Sequence, residues 1–334
     1  MTQARSLLIP HGMSGTYHCV QRCVRRAFLC GIDHYTGQNF EHRKVWVEER
    51  IALVSSCFAV AVYAYAVMSN HLHLVIHVEP NAATRWSDRD VAERWVRLFP
   101  PKDDLEEART YKQNRLIASA ARLEVCRMRL GSLSWLMKCL AEPIARKANA
   151  EDSCKGRFWE GRFKAQVLCN DQAVLAAMAY VDLNPIRAGM TTSLLGSNYT
   201  SIQQRIKSAR LNNIALQQTL APMYGTLIAC LPVRLSDYIE LVEWTGKQVR
   251  PDKRGAIPKQ APSVLKHLHI SEQGWTAQVK GIGSSYWRVV GGVDDFLEKA
   301  KQLNQRWLKG LGTAMALSKL VELFVETFSP EREK

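Results

Sequence analysis

The stretch 69–77, with the sequence SNHLHLVIH, constrains the fold more than any other part of the chain. Polar and apolar residues alternate along it, and successive side chains of a β-strand point to opposite faces. The alternation therefore predicts a strand with imidazoles on one face and an apolar opposite face. The imidazole face carries His71, His73 and His77, and the apolar face carries Leu72, Leu74 and Ile76.

His71 and His73 would lie about 7 Å apart, which is twice the rise per residue of a strand. Two imidazoles at that spacing can bind one divalent ion if a third ligand comes from elsewhere in the fold. The alternative is a strand with two surface histidines, and the spacing alone does not exclude it. His77 shares the face but lies about 13 Å from His73 along the strand, so we leave it out of the predicted site.

The segments around this strand predict strands and helices in turn. Val47, Ile51, Val54 and Phe58 recur at helical spacing and predict a helix over 41–58. Strands are expected at 16–24, 27–30, 60–68 and through 167–168. Further helices are expected at 116–128, 132–149, 171–184, 236–245 and 293–307, with Pro143 kinking or splitting the second of these. The predicted class is α+β.

The domain organisation follows from shifts in composition. We expect one domain over 1–200, with a polar helical insertion at about 80–131. The remainder, 201–334, is predicted to be a smaller, mostly helical region of unknown role, with a basic linker at 250–259.

The net charge favours a polyanionic partner. The chain has 334 residues, and its 45 Lys and Arg against 31 Asp and Glu give a formal charge of +14. A charge of this size favours nucleic acid over a small neutral ligand. The alternative is a basic protein without such a partner.

The cysteines and the N-terminus favour a cytoplasmic protein, and a nucleic-acid partner would associate it with the nucleoid. Nine cysteines are scattered without a Cys-x-x-Cys pair, which is not the pattern of a disulfide framework or a zinc ribbon. The N-terminus lacks the pattern of a secretory signal, and 51–68 is interrupted by serines and tyrosines, so no membrane span is expected.

Residues 155–164, with the sequence KGRFWEGRFK, form a basic and aromatic run. Arg157, Arg162 and Lys164 fit phosphate contacts, and Trp159 fits base stacking on single-stranded DNA. In the alternative, Trp159 and Phe163 lie in the core and the cations form a solvated edge. Arg22, Arg25, Arg26 and Arg187 are further candidates for phosphate contacts.

Tyr180 and Asn184 are four residues apart on a predicted helix and would share one face. If the helix meets the histidine strand, His71, His73 and Asn184 can bind one Mg or Mn ion, with Tyr180 beside it. A tyrosine hydroxyl can displace a DNA strand and form a covalent phosphotyrosine. The alternatives are a core tyrosine and an asparagine that ends a helix before Pro185. No general base is identified.

Three motifs together carry a family resemblance: NHLH at 70–73, GRFWEGRFK at 156–164 and YVDLNPIRAG at 180–189. In this order they resemble the REP-associated tyrosine transposases, a group of single-tyrosine HUH transposases. The run HCVQRCVRR at 18–26 is similar to a longer-chain subgroup. Asp182 stands where many members have histidine, and Ser69 where many have proline.

The resemblance implies a ferredoxin-like antiparallel sheet with helices on one face. It implies metal ligands at His71, His73 and Asn184, and the nucleophile at Tyr180. The implied activity is cleavage and joining of single-stranded DNA at hairpins of REP-like repeats through a 5′-phosphotyrosine. A non-catalytic DNA- or RNA-binding regulator and a phosphodiesterase that uses water stay open, as do the monomer and the homodimer.

Overall fold

A computed structural model gives the structure of the chain. It describes residues 8–10, 12–24, 29–32, 37–249, 261–283, 288–312, 314–316 and 318. They form two compact units: unit 1 is Met1–Lys164 with Ala221–Ala229, and unit 2 is Ala165–Leu220 with Cys230–Lys334. The boundary expected near residue 200 falls inside unit 2.

An antiparallel sheet and runs of consecutive helices make up the structure, which confirms the α+β class. The strands are β1 (Gly15–Arg22), β2 (Val60–Val67), β3 (His71–Val78), β4 (Lys164–Leu168), β5 (Thr219–Leu220), β6 (Tyr224–Gly225), β7 (Leu231–Arg234) and β8 (Val289–Val290). The helices of unit 1 are α1 (Arg43–Cys57), α2 (Pro80–Thr84), α3 (Asp88–Leu98), α4 (Glu106–Ile117), α5 (Ala120–Leu130) and α6 (Leu133–Glu151). Those of unit 2 are α7 (Asp171–Asp182), α8 (Asn184–Arg187), α9 (Ser201–Leu211), α10 (Leu235–Val249), α11 (Ser263–His267), α12 (Glu272–Ile282) and α13 (Val293–Gln302).

Unit 1 is built on an antiparallel sheet in the order β6-β2-β3-β1. β3 lies between β1 and β2, and α1 connects those two outer strands. A ferredoxin-like fold predicts this order for its first three strands. Every residue of β2 is buried, which explains why its sequence is a nearly continuous apolar run.

The two faces of β3 differ as the alternation predicts. Tyr65 pairs with Leu74 in the register, and its hydroxyl donates to Glu48 Oε1 of α1 at 2.5 Å. Cross-strand partners share a face, so α1 covers the side that carries Leu74. The imidazoles of β3 therefore lie on the face of the sheet opposite α1.

The segment 80–131 is helical, as expected, but is divided differently. It holds four helices, α2 to α5. The single helix predicted at 116–128 is wrong, because the chain leaves the helical conformation between α4 and α5, where Ser119 has φ −121° and ψ 86°. Ser87 and Asp90 form a capping box that begins α3. By contrast, α6 runs unbroken through Pro143, so the predicted split does not occur.

Unit 2 is mostly helical. Its short strands form a parallel β4-β8 pair and an antiparallel β5-β7 pair. Asn170, not the predicted Asp171, is the N-cap of α7, and its side chain accepts from the Ala173 amide. The basic linker expected at 250–259 and part of the strand expected at 27–30 lie outside the described residues.

Within the described parts of the chain, no helix combines the length and the apolar character needed to cross a bilayer.

Candidate functional site

The imidazoles of His71 and His73 are neighbours on the exposed end of β3. Their ring centroids lie 4.7 Å apart, and the rings meet edge to face. His73 is buried, with 4% of its surface exposed, whereas His71 is partly exposed. The pair predicted from the alternation is therefore present, and both rings are directed to the same side of the sheet.

The Nδ1 atom of each ring already has a hydrogen-bond partner. His71 Nδ1 lies 2.5 Å from Asn70 Oδ1, and an amide oxygen only accepts, so His71 donates from Nδ1. His73 Nδ1 lies 2.9 Å from Nε2 of His18. A neutral imidazole that donates from Nδ1 has its lone pair on Nε2, and this is the form that binds a metal through Nε2.

Burial lowers the pKa of His71 to about 4, with smaller contributions from the charges of Arg22 and His18. Arg22 is the cross-strand partner of His71 in the register of β1 and β3. At neutral pH His71 is therefore uncharged, and an uncharged imidazole is the metal-binding form.

His18 is a member of this cluster that sequence reasoning did not assign to the site. Its ring stacks on that of His73 with centroids 5.1 Å apart. The signal was present in β1, where His18 and Arg22 share one face by the same alternation used for β3. Pairing of β1 with β3 was needed to show which histidine it meets. His77, on the same face, bonds through Nδ1 to Thr16 Oγ1 at 3.0 Å.

The donor set fits a metal site that needs a further ligand. Across the described ranges, no group of three or more His, Cys, Asp or Glu side chains is arranged to hold a metal ion. His18 Nε2 is engaged with His73, which makes it a support for a ligand rather than a third ligand. The predicted third ligand is the amide oxygen of Asn184, and oxygen donors suit Mg or Mn.

The basic run 155–164 lies along the end of β1. The Val24 amide donates to Phe158 O, and the Glu160 amide donates to Arg22 O, both at 2.9 Å. Arg22 is exposed, as are three cations of the run: Arg157, Arg162 and Lys164. These charges border the strand end that carries His71. Arg25 and Arg26 fall outside the described residues.

The aromatic residues of this run are core groups. Trp159 is 8% exposed, and its Nε1 donates to Ala141 O of α6 at 2.8 Å. Phe158 and Phe163 are also buried. A base can stack only on an exposed ring face, so the predicted stacking on Trp159 is wrong. The alternative holds instead: the ring packs in the core and the cations remain at the surface.

Tyr180, Asn184 and Arg187 lie together in unit 2. Tyr180 is in the last turn of α7, and α8 begins at Asn184, which is buried. Pro185 does not end the helical path, because proline is tolerated in the first turn of a helix, and α8 continues to Arg187. The Arg187 guanidinium carbon lies 4.3 Å from the centroid of the Tyr180 ring.

Asp182 has a structural role in unit 2. It is fully buried and accepts hydrogen bonds from Ser201 Oγ at 2.5 Å, the Ile202 amide at 3.1 Å and Tyr238 Oη at 2.6 Å. Burial raises its pKa to about 6, although these bonds oppose the shift. Its carboxylate thus joins α7 to α9 and α10, and these three donors are groups of the fold itself.

The predicted site residues are therefore divided between the units. Unit 1 holds His71, His73, Arg22 and the exposed cations of the run, and unit 2 holds Tyr180, Asn184 and Arg187. Together these features define an α+β protein with an imidazole pair in one unit and a tyrosine beside an arginine in the other.

Comparisons with known proteins add a distant likeness. No protein-family model matches the chain, and no curated protein matches it. A solved structure described as "Structure of the REP associates tyrosine transposase bound to a REP hairpin" is 14% identical in sequence, with a TM-score of 0.33. The alignment covers 69% of this chain and 99% of that chain. A TM-score this low does not establish a shared fold.

Proposed function

We propose that this chain is a metal-dependent, transposase-like endonuclease and strand transferase. Its substrate would be single-stranded DNA at hairpin-forming, REP-like repeats, and the intermediate a 5′-phosphotyrosine on Tyr180. The observation that supports this most directly is the pair His71 and His73, whose rings lie 4.7 Å apart with Nδ1 of each in a hydrogen bond. The motif resemblance connects this pair to Tyr180.

Each residue has a defined task in the proposal. His71, His73 and Asn184 would hold a Mg or Mn ion, which when bound supplies Lewis-acid polarisation of a phosphate oxygen. The Tyr180 hydroxyl would attack phosphorus, and the cleaved strand would leave with a free 3′ hydroxyl. Arg22, Arg157, Arg162 and Lys164 are exposed and would contact backbone phosphates.

The test uses single-stranded hairpin oligonucleotides from the repeats of the host genome, labelled at the 3′ end, with Mg or Mn. Wild-type protein is expected to form a labelled protein–DNA adduct that survives a denaturing gel. Tyr180→Phe should abolish the adduct and keep hairpin binding, and His71→Ala should lower its yield sharply. Tyr111→Phe and His267→Ala are matched controls, because both residues are exposed and lie outside the predicted site.

Other outcomes would identify other functions. Hairpin binding without an adduct, across several hairpins and both metals, would indicate the non-catalytic regulator. Cleavage that survives Tyr180→Phe would indicate hydrolysis by water, and the assignment of Tyr180 as nucleophile would then be wrong.

A further inference from the structure

We propose that Arg187 binds the non-bridging oxygens of the phosphate that Tyr180 attacks. This inference rests on the proposed function and extends it, since it gives Arg187 a role in the reaction rather than a general contact with the DNA backbone. Two observations in unit 2 support it: the position of Arg187 beside Tyr180 on the helical path, and a buried Arg187 nitrogen that has no hydrogen-bond partner among the described residues.

The local chain path brings Arg187 to the nucleophile. The Leu183 amide donates to Ala179 O at 3.0 Å and the Arg187 amide donates to Leu183 O at 2.9 Å, so helical bonding continues from α7 into α8. Residues seven apart lie two turns apart on one helix face. Arg187 therefore projects beside Tyr180, with its guanidinium carbon 4.3 Å from the ring centroid.

Among the residues that the structure describes, none offers a hydrogen-bond partner to one buried guanidinium nitrogen of Arg187. Within the described ranges, no hydrogen-bond acceptor reaches Arg187 Nη1, although this atom is shielded from solvent. Burying a charged donor without an acceptor is costly, and such groups in native structures call for an explanation. A phosphate would supply that acceptor, since guanidinium donors match its oxygens in geometry and charge.

The residue that adjoins the Tyr180 ring must be small, because the backbone at Gly283 packs closely against it. An ideal Cβ built on Gly283 would lie 2.8 Å from Tyr180 Cε2 and 3.0 Å from Tyr180 Oη. Gly283 has φ −70°, which any residue adopts, so glycine is needed here for space and not for backbone conformation. The end of α12 thus approaches the hydroxyl with backbone alone.

The proposed reaction is a displacement at phosphorus. A bond forms between Tyr180 Oη and phosphorus, and the bond from phosphorus to the 3′ oxygen breaks, its electron pair leaving with that oxygen. The phenol loses a proton and the 3′ oxygen gains one, so the net charge is unchanged. In the transition state negative charge builds on the non-bridging oxygens, and a fixed cation beside the nucleophile stabilises it.

The test replaces the scissile phosphodiester of the hairpin with a methylphosphonate, which lacks the non-bridging negative charge. Release of a 5′-labelled fragment with a 3′ hydroxyl is measured on both substrates with wild type, Arg187→Ala and Arg187→Lys. We expect Arg187→Ala to slow cleavage of the phosphodiester by about 10²–10³-fold, as for loss of one oxyanion donor. The same variant should slow cleavage of the methylphosphonate far less. Arg187→Lys should cleave the phosphodiester at a rate between those of wild type and Arg187→Ala. Arg210→Ala, an exposed arginine of α9, is the matched control and should leave both rates unchanged.

Each other result overturns the inference. An equal loss on both substrates would mean that Arg187 only holds the Tyr180 ring. No loss on either would mean that it takes no part. If Arg187→Ala does not fold, as judged by thermal unfolding, the same substrate comparison with Arg187→Lys decides between these outcomes. Failure of the wild type to cleave any phosphodiester hairpin would overturn the proposed function as well. The outcomes above, in which the wild type does cleave, overturn only the role of Arg187.

Discussion

At His73, one hydrogen bond decides which ring nitrogen can bind a metal. The bond joins His73 Nδ1 to His18 Nε2 at 2.9 Å, and either nitrogen can hold the shared proton. If neutral His73 donates, its lone pair is on Nε2. If His18 donates, His73 Nε2 carries the proton and cannot be a ligand. Metal binding through Nε2 therefore requires His18 to act as the acceptor.

We expect His18→Phe to weaken binding of Mn²⁺ by about 10–100-fold, the usual effect of losing a group that supports a metal ligand. His18→Gln should retain most of the affinity, since its amide oxygen can accept from His73 Nδ1. Electron paramagnetic resonance of free Mn²⁺ gives the affinities. In the metal-free protein, ¹⁵N chemical shifts of His73 should report the Nδ1–H tautomer in wild type and His18→Gln. Equal affinities for the two variants would show that His18 has no such role.

At the scale of the element, α6 shows how a proline can stand inside a helix. Pro143 has no amide hydrogen, so Cys139 O, four residues earlier, lacks its usual helical donor. Arg50 of α1 supplies the missing donor, with its Nε 2.9 Å from Cys139 O. The Arg50 side chain is partly buried, and burial lowers its pKa. A hydrogen bond from α1 to α6 thus replaces the backbone hydrogen bond that α6 lacks at Pro143.

A double-mutant cycle tests this compensation by chemical denaturation. Arg50→Met should destabilise the wild-type chain by about 1–3 kcal/mol, because it leaves a buried carbonyl without a donor. In the Pro143→Ala background the helix restores its own bond, and the same change should cost clearly less. Equal costs in the two backgrounds would mean that Arg50 acts through packing alone.

At the scale of the whole molecule, the formal charge of +14 predicts salt-sensitive binding to nucleic acid. For single-stranded DNA, each phosphate contact contributes about 0.7 to the slope of log K against log salt. Arg162→Ala should therefore lower the slope by about that amount. Arg122→Ala removes an exposed arginine of α5 and should leave the slope unchanged. Fluorescence anisotropy across a salt series measures both, and equal slopes for the two variants would remove the run 155–164 from the DNA contact.

The buried carboxyl of Asp182 should make the stability of the protein depend on pH. Its pKa is 3.8 in the reference state and about 6 in the folded chain, because of burial. A raised acid pKa favours the protonated form in the fold, so this stabilisation is complete below about pH 4 and is lost as the pH rises through about 6.

Wild type should therefore lose stability relative to Asp182→Asn between pH 4 and pH 6, on the order of 2–3 kcal/mol. Asparagine keeps an acceptor for the Ile202 amide but does not ionise. Urea unfolding of both proteins at several pH values measures the difference. Parallel stability curves would show that Asp182 ionises normally in the fold.

Patterns of local origin were read correctly from the sequence. The histidine face of β3 follows from alternation, and α1 follows from apolar periodicity, because both patterns depend only on residues close in the chain. Element ends were less certain, as the N-cap at Asn170 in place of Asp171 shows. Adjacent residues that can both cap a helix differ little in local free energy.

The amino-acid sequence by itself determined the α+β class, the imidazole face and the spacing of Tyr180 and Asn184 along one helical path. Only the tertiary structure decided that His18 meets His73, that Trp159 is buried, and that Arg50 satisfies Cys139 O. The reason is physical. Each of these contacts joins residues far apart in the chain, and its stability depends on which strands and helices pack together, which no local period encodes.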